Sequence, residues 1–138
     1  MKILTAAVLA AGLAGAAPVQ AHHSGAMFDG AKTMTISGAL KGVEWTNPHS
    51  WLSVVGSPDG KGAATQWDLE SVAPATLVRM GLSKDQLQVG AKVSVQFHPL
   101  RDGRHGGSLI AVTFADGRTV RAVADQNAPA PPLSGGDR

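Results

Sequence analysis

Between Thr33 and Trp45 the apolar residues alternate and then change phase. Met34, Ile36, Gly38 and Leu40 hold one parity, and Val43 and Trp45 resume on the other. Alternation marks a half-buried strand, because successive side chains of an extended chain point to opposite faces. The slip falls at Lys41-Gly42. A glycine at a break in strand period predicts a β-bulge, which adds one unpaired residue and bends the strand. A long first strand bent in this way can serve two sides of a small barrel.

The rest of the chain supplies the other staves. Ser50 to Val55 reads as a second strand, with the cluster Ser57-Pro58-Asp59-Gly60-Lys61-Gly62 as its turn. Thr65 to Leu69 is a third, with Trp67 and Leu69 on one face. In Val72 to Met80 the residues Ala73, Leu77 and Met80 lie three or four apart, Pro74 suits a first helical turn and Gly81 the residue past a helix end. Ser83 and Gln86 have capping-box spacing, which predicts a further short helical turn. Lys92 to Phe97 and Ser108 to Phe114 are two more strands, and Asp116-Gly117 turns the chain into a last one, Thr119 to Val123. This order predicts an all-β fold, a small Greek-key OB-like barrel of five to six strands with one short helix between strands three and four. A β-sandwich would want more strands. No internal repeat is evident.

The ends read differently from this middle. Met1 to Ala21 has one early cation, Lys2, an apolar run from Ile3 to Ala17 and the small-residue end Val19-Gln20-Ala21, the pattern of a secretory signal peptide cleaved after Ala21. The run is shorter than the roughly 20 residues that span a bilayer. An exported, periplasmic protein is the expectation. Residues 22–32 form an arm with Met27-Phe28 as a local anchor, residues 33–123 the barrel domain, and residues 124–138, rich in Pro, Gly and Ala, a disordered tail. The arm's eleven residues can reach about 36 Å at roughly 3.3 Å each.

Composition narrows the chemistry. There is no cysteine, so thiolate catalysis and cysteine metal sites are excluded. The formal charge is +2, reduced by the loss of Lys2, which leaves no electrostatic footprint for nucleic acid. Neither a paired-carboxylate site nor a glycine-rich phosphate loop is present. Ser24 beside His23 is adjacency in sequence, which makes no nucleophile and base pair. No catalytic constellation emerges, and a non-enzymatic role is expected.

In a chain poor in aromatic residues, Trp45-Thr46-Asn47-Pro48-His49-Ser50-Trp51 stands out. With Thr46, Asn47 and Pro48 as the turn, Trp45 pairs with His49 and Val43 with Trp51, and all four share a face. In an OB barrel the loop between strands one and two and the loop between strands four and five both serve ligands. The second is here His98-Pro99-Leu100-Arg101-Asp102-Gly103-Arg104-His105. The end of strand three brings Glu70 to the same pole, and the arm is long enough to deliver His22 and His23.

Cleavage after Ala21 gives His22 an α-amine beside its imidazole, a chelate of the histidine-brace kind, and His23 adds another nitrogen. Nitrogen donors in this number favour copper among divalent first-row metals, with zinc and nickel behind. The metal set read from the sequence is His22, His23, His49 and His98, with Met34 or Met27 as thioether donors; His98 is better placed than His105, which flanks the same loop. Trp45, Asn47, Trp51, Glu70 and Arg101 are the candidate ligand-binding residues. Ordinary readings compete at every position. The tryptophans fill a core, Asn47-Pro48 is turn chemistry, Glu70 pairs with Arg79 or Arg101, and the two arm histidines are incidental. The leading expectation is a periplasmic protein that binds a transition metal, copper first. The alternative is a structural or interaction module taking a small organic ligand or a partner protein at the same pole.

The motifs His22-His23-Ser24, Phe28-Asp29, Trp45-Thr46-Asn47-Pro48-His49, Trp67 with Glu70, Pro74 with Leu77, Arg79 and Gly81, His98-Pro99-Leu100-Arg101-Asp102-Gly103 and Asp116-Gly117-Arg118 together resemble a family of small exported bacterial proteins, domain-of-unknown-function family 6152. The resemblance covers the mature domain and implies no activity. Where the family has an aromatic after the glycine corresponding to Gly81, this chain has Leu82. At the level of fold, the chain is also similar to periplasmic copper chaperones built on an OB barrel, in which histidine and methionine bind beneath a tryptophan. Under that likeness His49, Met34 and Trp45 take those parts.

Overall fold

The structure, a computed structural model, describes residues 25–58 and 60–123. The expected signal peptide, His22, His23 and the expected tail from Ala124 lie outside the described residues. Six strands run in chain order: β1 Met34–Glu44, β2 Trp51–Pro58, β3 Thr65–Glu70, β4 Lys92–Pro99, β5 Gly106–Phe114 and β6 Thr119–Arg121, with one helix, α1 Pro74–Arg79, after β3. The sheet order is β3-β2-β1-β4-β5-β6, and a parallel pairing of β3 with β5 closes the first five strands into a barrel. The expected OB-like barrel is present, with β6 as an outer strand on β5.

The bend in β1 makes closure possible. Met34 to Ala39 pair with β4, while Ile36 to Glu44 pair with β2. The register of β1 on β2 shifts between Leu40 and Gly42, where the change of phase placed it. Gly38 faces Gly56 across the two strands, and a side chain added at Gly38 would meet Gly56 Cα at 2.6 Å and run into the Val55 carbonyl. The backbones approach too closely there for any larger residue.

Period two then fills the interior. Ile36, Leu40, Leu52, Val54, Leu69, Val95 and Phe97 are buried in one core cluster. The helix ends at a defined stop: Pro74 occupies its first turn, and Gly81 follows at φ 91°. The amides of Gly81 and Leu82 donate to the carbonyls of Val78 and Leu77, at 3.0 and 2.9 Å. This is the paired hydrogen-bond pattern of a glycine-terminated helix, and the hydrophobic contact that accompanies it uses Leu77 and Leu82, both fully buried. A short 3-10 turn follows at Lys84–Gln86, where the Ser83 amide donates to Gln86 Oε1 at 3.1 Å. No helix among the described residues is long and apolar enough to cross a membrane.

One expectation is corrected. Trp51 stands opposite Glu44, and Val43 opposite Leu52, so the connection between β1 and β2 spans the six residues from Trp45 to Ser50 and contains a cis Asn47-Pro48 bond. The reason lies in the backbone of Ser50. Its amide donates to Val72 O at 3.1 Å and its carbonyl accepts from Ser71 N at 2.8 Å, which ties it to the segment after β3 and starts the β1–β2 ladder at Trp51. A one-residue step in a strand reverses which face each side chain takes. Trp45 packs against the core, whereas Trp51 faces outward, and the two tryptophans do not share a face.

Candidate functional site

The outer face of β2 and β3 is polar. Trp51 stands opposite Glu70, Ser53 opposite Asp68 and Val55 opposite Gln66, all alternating with buried Leu52, Val54, Trp67 and Leu69. Asp68 Oδ1 accepts from Ser53 Oγ at 2.6 Å and from Gln66 Nε2 at 2.9 Å, and Gln66 Oε1 accepts from Lys41 Nζ at 2.5 Å. Lys41 is the residue inserted at the bulge, so the device that bends β1 also places a cation at the edge of this network.

Two loops flank the face. From residues 45–50, His49 meets the Glu70 carboxylate through Nδ1. That pairing replaces the expected partners of Glu70: Arg79 donates to Thr76 Oγ1 at 3.0 Å, and Arg101 turns to the arm. Asn47 is exposed in the same loop. From the β4–β5 loop, His105 lies over the buried indole of Trp67, with ring centroids 4.6 Å apart. Trp67 also contacts Phe97, at 5.4 Å.

The arm reaches this loop. The Arg101 amide donates to Met27 O at 2.9 Å, the Asp29 amide to Pro99 O at 2.8 Å and Arg101 Nε to Ala26 O at 3.0 Å, while Phe28 and Leu100 form a β-bridge. Lys32 and Arg101 both approach the Asp29 carboxylate, at 3.4 and 3.8 Å. Desolvation pushes that carboxyl up, but the hydrogen bonds from Lys32 and the Ala31 amide and the nearby charges of Lys32 and Arg101 outweigh it and hold it below its ordinary value. The amide and side chain of Arg104 lower the Asp102 carboxyl in the same way.

Two cavities result. One, of about 260 Å³, lies between the arm and the outer face and is lined by Met27, Phe28, Trp51, Asp68, Arg104 and His105, among others. The other, of about 460 Å³, lies beside the start of β1 and is lined by residues that include Lys32, Met34, Trp67, Arg101, Arg104 and His105. His105 forms part of both walls.

The sequence-derived sites are therefore brought together in part. Trp51, Glu70 and His49 share the outer face or its rim, and Arg101 anchors the arm. Trp45 belongs to the core margin. The three histidines after the arm have three separate neighbours: Glu70 for His49, the Lys32 carbonyl for His98 Nδ1 at 2.7 Å, and Trp67 for His105. Trp67 lies three residues before Glu70, about 10 Å along a strand at roughly 3.3 Å per residue, so His49 and His105 flank the face at different levels. Among the described residues no group of three His, Cys, Asp or Glu is gathered as a metal site.

From the sequence, His105 ranks below His98, and Asp68 is not among the candidates. The available signal was Gly106-Gly107. A side chain at Gly106 would meet Asp68 O at 2.8 Å, and one at Gly107 would meet Phe97 Cδ2 at 2.5 Å. Glycines inside a strand mark close backbone approach, Gly106 that of β5 to β3 and Gly107 that of β5 to β4, and the first of these carries His105 onto Trp67.

No curated protein and no solved structure matches the chain. The sequence profile of a family of unknown function, DUF6152, matches residues 10–109, a span that includes the arm and every residue named as lining the two cavities. The chain belongs to the family of unknown function DUF6152.

Proposed function

We propose that this is an exported periplasmic binding protein, without enzymatic activity, that holds a transition metal, copper first, where the arm crosses the outer face of β2 and β3. The observation that carries this reading is the docking of Ala26 to Asp29 along the β4–β5 loop. His22 and His23 precede Gly25 by only three and two residues, a chain length of at most about 10 Å at roughly 3.3 Å per residue, and Met27 lines a cavity with His105 and Asp68. The donors assigned are the amine and imidazole of His22, the imidazole of His23 and that of His105. Asp68 and Met27 supply an oxygen and a thioether in the same wall. A nitrogen-rich set of this kind ranks copper above zinc and nickel.

Titration of the processed protein with Cu(II), read by calorimetry and electron paramagnetic resonance, tests this. One equivalent should bind, and removal of His22 or the substitution His105→Ala should each weaken binding at least about tenfold. Unchanged isotherms for both variants would sink the assignment.

A second reading keeps the face and changes its occupant to a small organic ligand or a partner protein. It rests on Trp51 and Met27, which are 37 and 43 % exposed and line the same cavity. Exposed aromatic residues beside a polar network are common binding anchors. Under it, Trp51→Ala abolishes capture and leaves metal content unchanged.

A further inference from the structure

We propose that the cavity beside the start of β1 binds a small aromatic carboxylate, with Arg101 and Arg104 facing its carboxylate and the Trp67 indole against its ring. This cavity adjoins the one proposed for the metal and shares Leu100, Arg104 and His105 with it.

An aromatic wall comes first. Trp67 lines this cavity and is only 6 % exposed. The indole is also held still, between the rings of His105 and Phe97.

Charge is the second argument. Lys32, Arg101 and Arg104 line the cavity against one carboxylate, Asp29. Asp29 is shared by Lys32 and Arg101, and Arg104 is fixed by Asp102 at 2.7 Å. Counting Asp102 as well, cations still outnumber carboxylates. Arginine is the residue best suited to a planar carboxylate, because its guanidinium can donate two parallel hydrogen bonds. The same excess of positive charge disfavours a metal cation here.

Shape and surface are the third. The volume of about 460 Å³ falls within the range of roughly 300–1,000 Å³ typical of small-molecule sites. Its apolar wall of Trp67, Met34 and Leu100 offers an indole and a thioether to an aromatic ring.

The test is titration of the ¹⁵N-labelled processed protein with benzoate, benzyl alcohol and sulfate in parallel, following the Trp67 indole N–H resonance, which Trp67→Phe identifies by its disappearance. Benzoate should shift that resonance saturably, and Arg104→Gln should weaken binding about tenfold or more. Arg101→Gln should do the same, but Arg101 also anchors the arm, so Arg104→Gln is the deciding variant. Benzyl alcohol binding as well as benzoate would overturn the role of the carboxylate. Sulfate producing the same shift would reduce the site to one for simple anions and overturn the aromatic part, and no saturable shift with benzoate would overturn the whole proposal.

Discussion

Trp51 of β2 stands opposite Glu44 of β1, one residue out of step with a three-residue turn, and that step sends Trp51 to the outer face while Trp45 packs against the core. The two tryptophans should therefore differ sharply on truncation. Trp45→Ala should cost about 2 kcal/mol or more, below the roughly 3–5 kcal/mol of a fully buried tryptophan, whereas Trp51→Ala should cost less than about 1 kcal/mol. Urea denaturation of the two variants measures this directly.

Close approach of β1 and β2 at Gly38 and Gly56 predicts a second contrast. Gly38→Ala drives a methyl group into the Val55 carbonyl and Gly56 Cα, and should destabilise by about 3 kcal/mol or prevent closure of the barrel. Gly42→Ala, in the same strand and with nothing within 4 Å of an added Cβ, should leave the midpoint nearly unchanged. Thermal unfolding of the pair decides it.

Leu77 is the buried residue of α1 and the carbonyl acceptor of the helix stop. Leu77→Ala should cost about 2–5 kcal/mol, since it leaves a cavity at the contact with Leu82. Chemical denaturation with an unchanged m-value is the expected signature.

The arm should loosen in acid. The Asp29 carboxyl is held below its ordinary 3.8 in the folded protein, so its contribution is fully present above that range and is lost as pH falls through the lowered value. Amide exchange at Asp29, whose N–H is bonded to Pro99 O, should accelerate at low pH. In Asp29→Asn the arm should be looser at neutral pH, and this acid step should disappear.

Arg101→Ala removes the guanidinium contacts to Ala26 O and Asp29 while leaving the backbone bond to Met27 O. Limited proteolysis should cut the arm several-fold faster, with a change in global stability under about 1 kcal/mol, because these groups are exposed and water replaces them.

Much of the fold was legible because its signals are local. The phase change at Lys41-Gly42, Pro74 before Gly81, the Ser83 and Gln86 spacing and Asp116-Gly117 each report a backbone event within a few residues, and each element appears within two or three residues of its expected bounds. The candidate site was legible only in part. Met27-Phe28 was readable as an anchor from its apolar character, and Trp51 and Arg101 from their neighbours in sequence. The roles of His105, Asp68 and Arg104 were not, since nothing within a few residues of His105 states that β5 will lie parallel to β3.

By itself, the sequence determined a bent first strand, a short helix with a glycine stop and a cysteine-free barrel, because side-chain period and turn chemistry act over short range. Only the tertiary structure decided where the loop of residues 45–50 joins the ladder, which tryptophan is buried, and which histidine faces which partner. Those outcomes depend on bonds from Ser50 to Ser71 and Val72 and on Gly106, which lets β5 approach β3, contacts between residues distant in the chain. A shift of one residue in such a contact reverses a whole face of a strand, and no local pattern records it.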